Sequence, residues 1–130
     1  MGEHANAELA RRAWNAISRA DIDEIEPMFA PDIVWHATGN APWRGDHHGL
    51  DAILDYLGQV GELSEVFDAS LTDVLSSDER VSLVFHVRLE RQGQTIEIDY
   101  LLMARVQDGI TQEVWTCPLD PDALALLWAH

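Results

Sequence analysis

The side chains whose type and place in the sequence could serve proton transfer near neutral pH are Glu113 and the histidines of one segment, His36, His47 and His48. Glu113 stands in the run Thr111-Gln112-Glu113-Val114-Trp115-Thr116-Cys117, and His36 follows Trp35 in Ile33-Val34-Trp35-His36-Ala37. A carboxylate on an otherwise apolar strand face is expensive to bury in its ionised form. Glu113 in such a place would have its pKa raised into a useful acid/base range, whereas at a rim or beside an arginine it would be an ordinary surface group. His36, His47 and His48 are candidate proton shuttles. Neighbours such as His47 and His48 cannot both face one site from an extended segment. Asp46 beside them does not complete a metal-ligand spacing, so no metal and no cofactor is expected. Tyr100 is a candidate phenolic donor to a ligand carbonyl, or else a satisfied core residue.

Composition removes whole classes of chemistry. All eight basic residues are arginine, so Schiff-base, pyridoxal-phosphate and P-loop lysine chemistry have no amine to work with. Cys117 is the sole cysteine, which leaves no internal disulfide and no cysteine-rich zinc site. A formal charge of -15 repels nucleic-acid phosphates and acidic headgroups alike, so neither nucleic acid nor membrane is an expected partner. The N-terminal residues show no basic segment followed by an apolar core, and a cytoplasmic home is expected.

Hydrophobic spacing supplies the elements. Leu9, Ala13, Ala16, Ile17 and Ala20 recur at helical intervals within residues 8–20. Asp21 with Glu24 looks like a capping box for a short second helix carrying Ile22, Ile25, Met28 and Phe29 inward, ended by Pro31. Ile33 to Ala37 is a strand, residues 38–49 are a loop, and residues 50–63 repeat Leu50, Ile53, Leu54, Leu57 and Val60 as a third helix.

From near Ser64 the period falls to two, the mark of strands. Leu83, Phe85, Val87 and Leu89 alternate with Val84, His86 and Arg88; Ile96, Ile98, Tyr100, Leu102 and Ala104 alternate with Glu97, Asp99 and Met103. Turns are expected at Gln92-Gly93 and Asp108-Gly109. Asp120-Pro121 opens a terminal helix, against which Trp128 should pack. The result is one α+β domain over residues 1–130, a curved antiparallel sheet wrapped around a long helix with helices at its N-terminal end.

Its concave face would be an apolar cup holding a small apolar molecule. Strand phase assigns Trp35, Phe85, Val87, Tyr100, Leu102, Glu113, Trp115 and Cys117 to the wall, with Trp43 as a lid or a core cap. A one-residue slip on the first strand would turn His36 inward in place of Trp35. His86 and Asp99 fall on the outer surface. There Val84, Leu101, Met103, Ile110 and Val114 form an apolar band suited to a homodimer.

The order of elements, together with Arg19-Ala20-Asp21, Phe29-Ala30-Pro31-Asp32-Ile33-Val34-Trp35-His36, the Gly45–Gly49 loop and Val106-Gln107-Asp108-Gly109, resembles the nuclear-transport-factor-2-like superfamily and its SnoaL-like branch. The resemblance implies a cone-shaped fold that hosts isomerases, polyketide cyclases, epoxide hydrolases and dehydratases. It also implies that the isomerase positions fall at Ala13, Ala37 and Leu102, and the epoxide-hydrolase positions at Leu83, Phe85 and Trp115, so neither catalytic set is present. Three readings stay open: a cofactor-independent isomerase, cyclase or dehydratase using Glu113 or His36 on a carbonyl compound, a noncatalytic binder of a hydrophobic metabolite, and an interaction scaffold.

Overall fold

A computed structural model describes residues 4–39, 41–63 and 66–127. Helix α1 (Ala5–Ser18) buries Ala7, Ala10 and Ala16 against the sheet. Ala20 then takes a positive φ of 55° and ends exposed rather than inward. In α2 (Ile22–Ile25) the Asp21 side chain accepts from the Glu24 amide, while the Glu24 carboxylate turns away to Arg19 at 2.8 Å. Only half of the expected capping box forms, and Ile22 points outward, 47% exposed. A short 3₁₀ turn over Glu26–Met28 leads straight into β1 (Phe29–Ala37), which therefore begins four residues earlier than the hydrophobic pattern suggests.

β2 (Gly45–His48), α3 (Gly49–Leu63), β3 (Val66–Ser76), β4 (Arg80–Arg91), β5 (Gln94–Gln107), β6 (Ile110–Pro118) and α4 (Pro121–Leu127) follow. The six strands form one sheet in the order β2-β1-β6-β5-β4-β3. Every pairing is antiparallel except β1 with β6, which is parallel and brings the first strand beside the last. The expected starting point of the sheet near Ser64, and Trp128, lie outside the described residues.

Both long hairpins turn through two residues: Gln92-Gly93 with φ of 51° and 78°, and Asp108-Gly109 with φ of 53° and 76°. Two consecutive positive φ values match the right-handed twist of the flanking strands, and the turns thereby fix the β4–β5 and β5–β6 registers. Along β4 and β5 the alternation holds: Leu83, Phe85, Val87, Leu89, Ile98 and Tyr100 are buried. Burying such a side chain contributes about 1.5–3 kcal/mol, which is why one face of the sheet is committed to the interior.

β6 breaks the alternation. Val106 pairs with Thr111, but Arg105 pairs with Glu113, so Gln112 is an extra residue without a partner. A bulge of this kind reverses which side of the sheet the following residues face. Thr111 is buried, and so are Val114, Thr116 and Pro118; Glu113, Trp115 and Cys117 face the other way. Expecting those last three in the cup was therefore wrong in geometry, and so was expecting Val114 on the outer face.

The β1–β2 loop is held against the sheet at Gly39, whose φ is 103° and where an added Cβ would lie 2.9 Å from Pro118 Cγ. Gly39→Ala should destabilise the protein by about 1–3 kcal/mol. Chemical denaturation would show this as a lower midpoint with unchanged slope; an unchanged midpoint would mean that the loop is not anchored there.

Candidate functional site

The structure separates the chemistry expected in one place onto two faces of the sheet. Inside, between α1, α3 and the sheet, lies a cavity of about 300 Å³. Trp35, Trp43, Phe85, Val87, Tyr100 and Leu102 all line it, the six wall residues whose phase precedes the bulge or does not depend on it. Trp14, Ser18, Tyr56 and Thr116 line it as well, unforeseen from the sequence. Trp14 stands four residues after Ala10 and three before Ile17, and Tyr56 three after Ile53 and four before Val60, so helical spacing carried both signals. Nothing short of the bulge reveals Thr116.

Six of the ten aromatic residues thus surround one space. Phe85 lies parallel to Tyr100 with ring centres 5.5 Å apart, Trp14 tilts onto Phe85 at 5.0 Å, and Trp35 meets Tyr56 edge-on at 5.6 Å. From behind, His47 stacks on Tyr56 at 4.4 Å, and its Nε2 bonds the Trp43 carbonyl at 2.9 Å. That pair of contacts ties the loop carrying Trp43 to α3. Among the described residues the lining contains no carboxylate, imidazole, thiol or guanidinium.

The polar groups of the cavity form a short chain. The Trp35 indole N–H donates to Thr116 Oγ1 at 3.3 Å, which leaves the Thr116 hydroxyl as the donor toward the Tyr56 oxygen, an interaction that lowers the Tyr56 pKa. Burial nevertheless holds the Tyr56 phenol above its ordinary pKa. With its oxygen accepting, Tyr56 is left with its proton to donate. Tyr100 is 8% exposed, its pKa is raised by burial and then by the nearby Tyr56, and its hydroxyl has no partner among the described residues. Two protonated phenols therefore face one apolar space.

On the outer face, His36 and Glu113 do come together. His36 Nε2 lies 2.5 Å from Glu113 Oε2, its Nδ1 lies 2.7 Å from Asp46 Oδ1, and Arg105 closes on Glu113 at 3.6 Å. Trp115 stacks on the His36 ring at 5.5 Å. β1 settles its phase with Ile33, Trp35 and Ala37 buried, so His36 faces outward with Glu113. The apolar cup that was to desolvate Glu113 is on the opposite side of the sheet. A second trio mirrors the first: His86 lies 2.9 Å from Asp99 and 3.2 Å from Glu97. No group of three or more metal-ligating side chains is arranged to hold an ion among the described residues.

This geometry has known counterparts. Residues 10–114 match the family model for the SnoaL-like domain. The chain belongs to the SnoaL-like domain family. An uncharacterized protein of Mycobacterium tuberculosis is 28% identical over 99% of this chain and 100% of its own length. Among solved structures, Bal32a from a soil-derived mobile gene cassette is 28% identical, covers 95% of each chain and superposes with a TM-score of 0.85. TerC, co-crystallized with polyporic acid, is 18% identical over 96% of this chain and 98% of its own, with a TM-score of 0.81. Other structures of the same fold are described as NTF2-like and cystatin-like, which agrees with the fold expected of this SnoaL-like chain. No helix of the described residues is long and apolar enough to cross a membrane.

The bond to Glu113, then the bond to Asp46, holds the His36 pKa above the ordinary 6.5. A raised folded-state pKa contributes stability that is fully present below the unfolded value and is lost as pH rises through the folded one. His36→Gln should therefore remove stability below about pH 6.5 and converge with the native protein at higher pH. An NMR titration of the imidazole should show a midpoint above 6.5; a midpoint at or below that value would overturn the assignment.

Proposed function

We propose that this SnoaL-like protein binds an uncharged, largely aromatic small molecule carrying an oxygen acceptor, with a ketone or enone as the simplest fit and Tyr56 and Tyr100 as the donors. The observation that carries this is the Tyr100 hydroxyl, buried, protonated and unpartnered at the wall of an aromatic cavity. A buried donor without an acceptor is costly, and a ligand oxygen would relieve that cost. The absence of a cation from the described lining, with a net charge of -15, disfavours an anionic ligand.

Two phenols on one oxygen also favour a carbonyl that gathers negative charge, so the pair would polarise a bound ketone. The described lining offers no proton acceptor to go further, and Glu113 and His36 belong to the outer face. Binding with polarisation is thus better supported than isomerisation, cyclisation or dehydration.

A second reading concerns that outer face, and its occupant is a second copy of this chain. Val84, Leu101 and Cys117 lie in one row across three strands, with Met103 and Trp115 in the next, all half-buried. The carboxylates around them are matched locally: Arg88 with Glu90 at 2.8 Å, Arg105 with Glu113, and the two histidine trios. Two copies could approach there without the repulsion that the net charge would otherwise impose.

Tyr100→Phe should weaken binding of 1-(2-naphthyl)ethanone about tenfold and leave 2-ethylnaphthalene unaffected, both followed by quenching of tryptophan fluorescence. Glu113→Gln should alter neither. Failure of the ketone to bind, or equal losses for both ligands, would end the proposal.

For the outer face, sedimentation at micromolar concentration should show a dimer that Met103→Glu converts to monomer. A native monomer would remove that reading.

A further inference from the structure

The pocket is not the only space under α1. A smaller cavity of about 50 Å³ lies next along the same face, bounded by Ala10 and Ala13 on α1, Ala104 on β5, and Thr111 on β6. Its cause is in the sequence: where helix and sheet meet, three alanines face a space that larger side chains would fill. A void that could take more than one water is filled by water only when it is polar, and this one is apolar apart from two groups. One of these, Asn6, has its amide committed to the carbonyls of Ser77 and Asp78 at 2.8 and 3.0 Å. The other is Thr111, 7% exposed, whose hydroxyl has no partner among the described residues.

The two cavities share their boundary. Trp14, Ile17, Trp35 and Leu102 line both, so a single layer of side chains parts them. Tyr100, Leu102 and Ala104 follow one another at every second position along the inner face of β5, which sets Ala104 roughly 14 Å from Tyr100 along the strand. Beyond it, Val106 pairs with Thr111.

We propose that the alanine-lined cavity is a tail subsite. The ligand is an aryl ketone with an extended alkyl chain that passes Leu102 and Trp14 and lies over Ala104, and a terminal hydroxyl on a chain of sufficient length is met by Thr111. This rests on the ketone-binding reading above and adds the length, shape and far-end polarity of the molecule bound. The bulge at Gln112 matters again, because it is what lets Thr111 and Val114 both face inward.

The test uses 1-(2-naphthyl)alkan-1-ones from the ethanone to the dodecanone, and the longest of them with a terminal hydroxyl, against the full chain. Affinity should rise about three- to fourfold per added methylene over part of the series and then level off. Ala13→Leu should raise the melting temperature of the free protein by filling the void and should flatten the series at short chains. Thr111→Val should leave the plain ketones unaffected and lose several-fold in affinity for the hydroxyl-ended one.

If the ethanone itself fails to bind, the ketone-binding reading falls. If it binds but longer chains gain nothing, or if Ala13→Leu leaves the chain-length dependence as in the native protein, the tail subsite alone is overturned. If chain length matters but Thr111→Val does not distinguish the hydroxyl-ended ketone, the far-end contact is overturned.

Discussion

A strand with one buried face can change the chemistry of that face only by changing its phase, and in β6 a single unpaired residue does so. Gln112 has no partner on β5, and past it the side chains that would have faced the helices face outward. Glu113, Trp115 and Cys117 leave the interior; Val114 and Thr116 enter it. The exchange removes a carboxylate, an indole and a thiol from the cavity wall and supplies one hydroxyl. That hydroxyl is the middle link between Trp35 and Tyr56. The polar pattern of the pocket therefore hangs on one inserted residue at the far end of the strand.

Inside the pocket, the arrangement follows from satisfying donors where water is scarce. An indole N–H can only donate, so Trp35 needs an acceptor, and Thr116 provides it while keeping its own proton for Tyr56. Each bond in such a chain polarises the next, which strengthens the outermost donor. Tyr100 stands outside the chain, stacked on Phe85, and brings an independent hydroxyl to the same space. One donor is oriented by its neighbours and the other by the packing of its ring.

Periodicity made the long strands legible because each covers many residues with one phase. Leu83, Phe85, Val87, Ile98 and Tyr100 follow from alternation alone, and the Gln92-Gly93 and Asp108-Gly109 turns from their residue types. The parallel pairing of β1 with β6 was not legible, since no local pattern records which distant strand lies alongside. Nor was the bulge, because Thr111-Gln112-Glu113-Val114-Trp115 alternates plausibly in either phase and only the partner strand decides. Tyr56 was missed for a different reason: a tyrosine at helical spacing between Ile53 and Val60 looks amphipathic, and only the closed fold shows its hydroxyl turned inward. Glu113 and His36 were each legible as candidates, but Glu113 belonged by alternation to the cup, and only the bulge turns it outward beside His36.

The sheet consequently divides two kinds of proton chemistry. Imidazoles bracketed by carboxylates lie on the outer face, and the bonds to those carboxylates raise both histidines above their ordinary value. The phenols lie on the inner face, and burial raises them as well. For a histidine, a raised pKa extends the charged state to higher pH; for a tyrosine, it extends the neutral, donating state. The same direction of shift thus makes the outer face responsive to pH and the pocket indifferent to it. Burial keeps the two phenols in their protonated, donating form to higher pH than free tyrosine, so that their capacity to donate does not depend on an acid or base in the described lining.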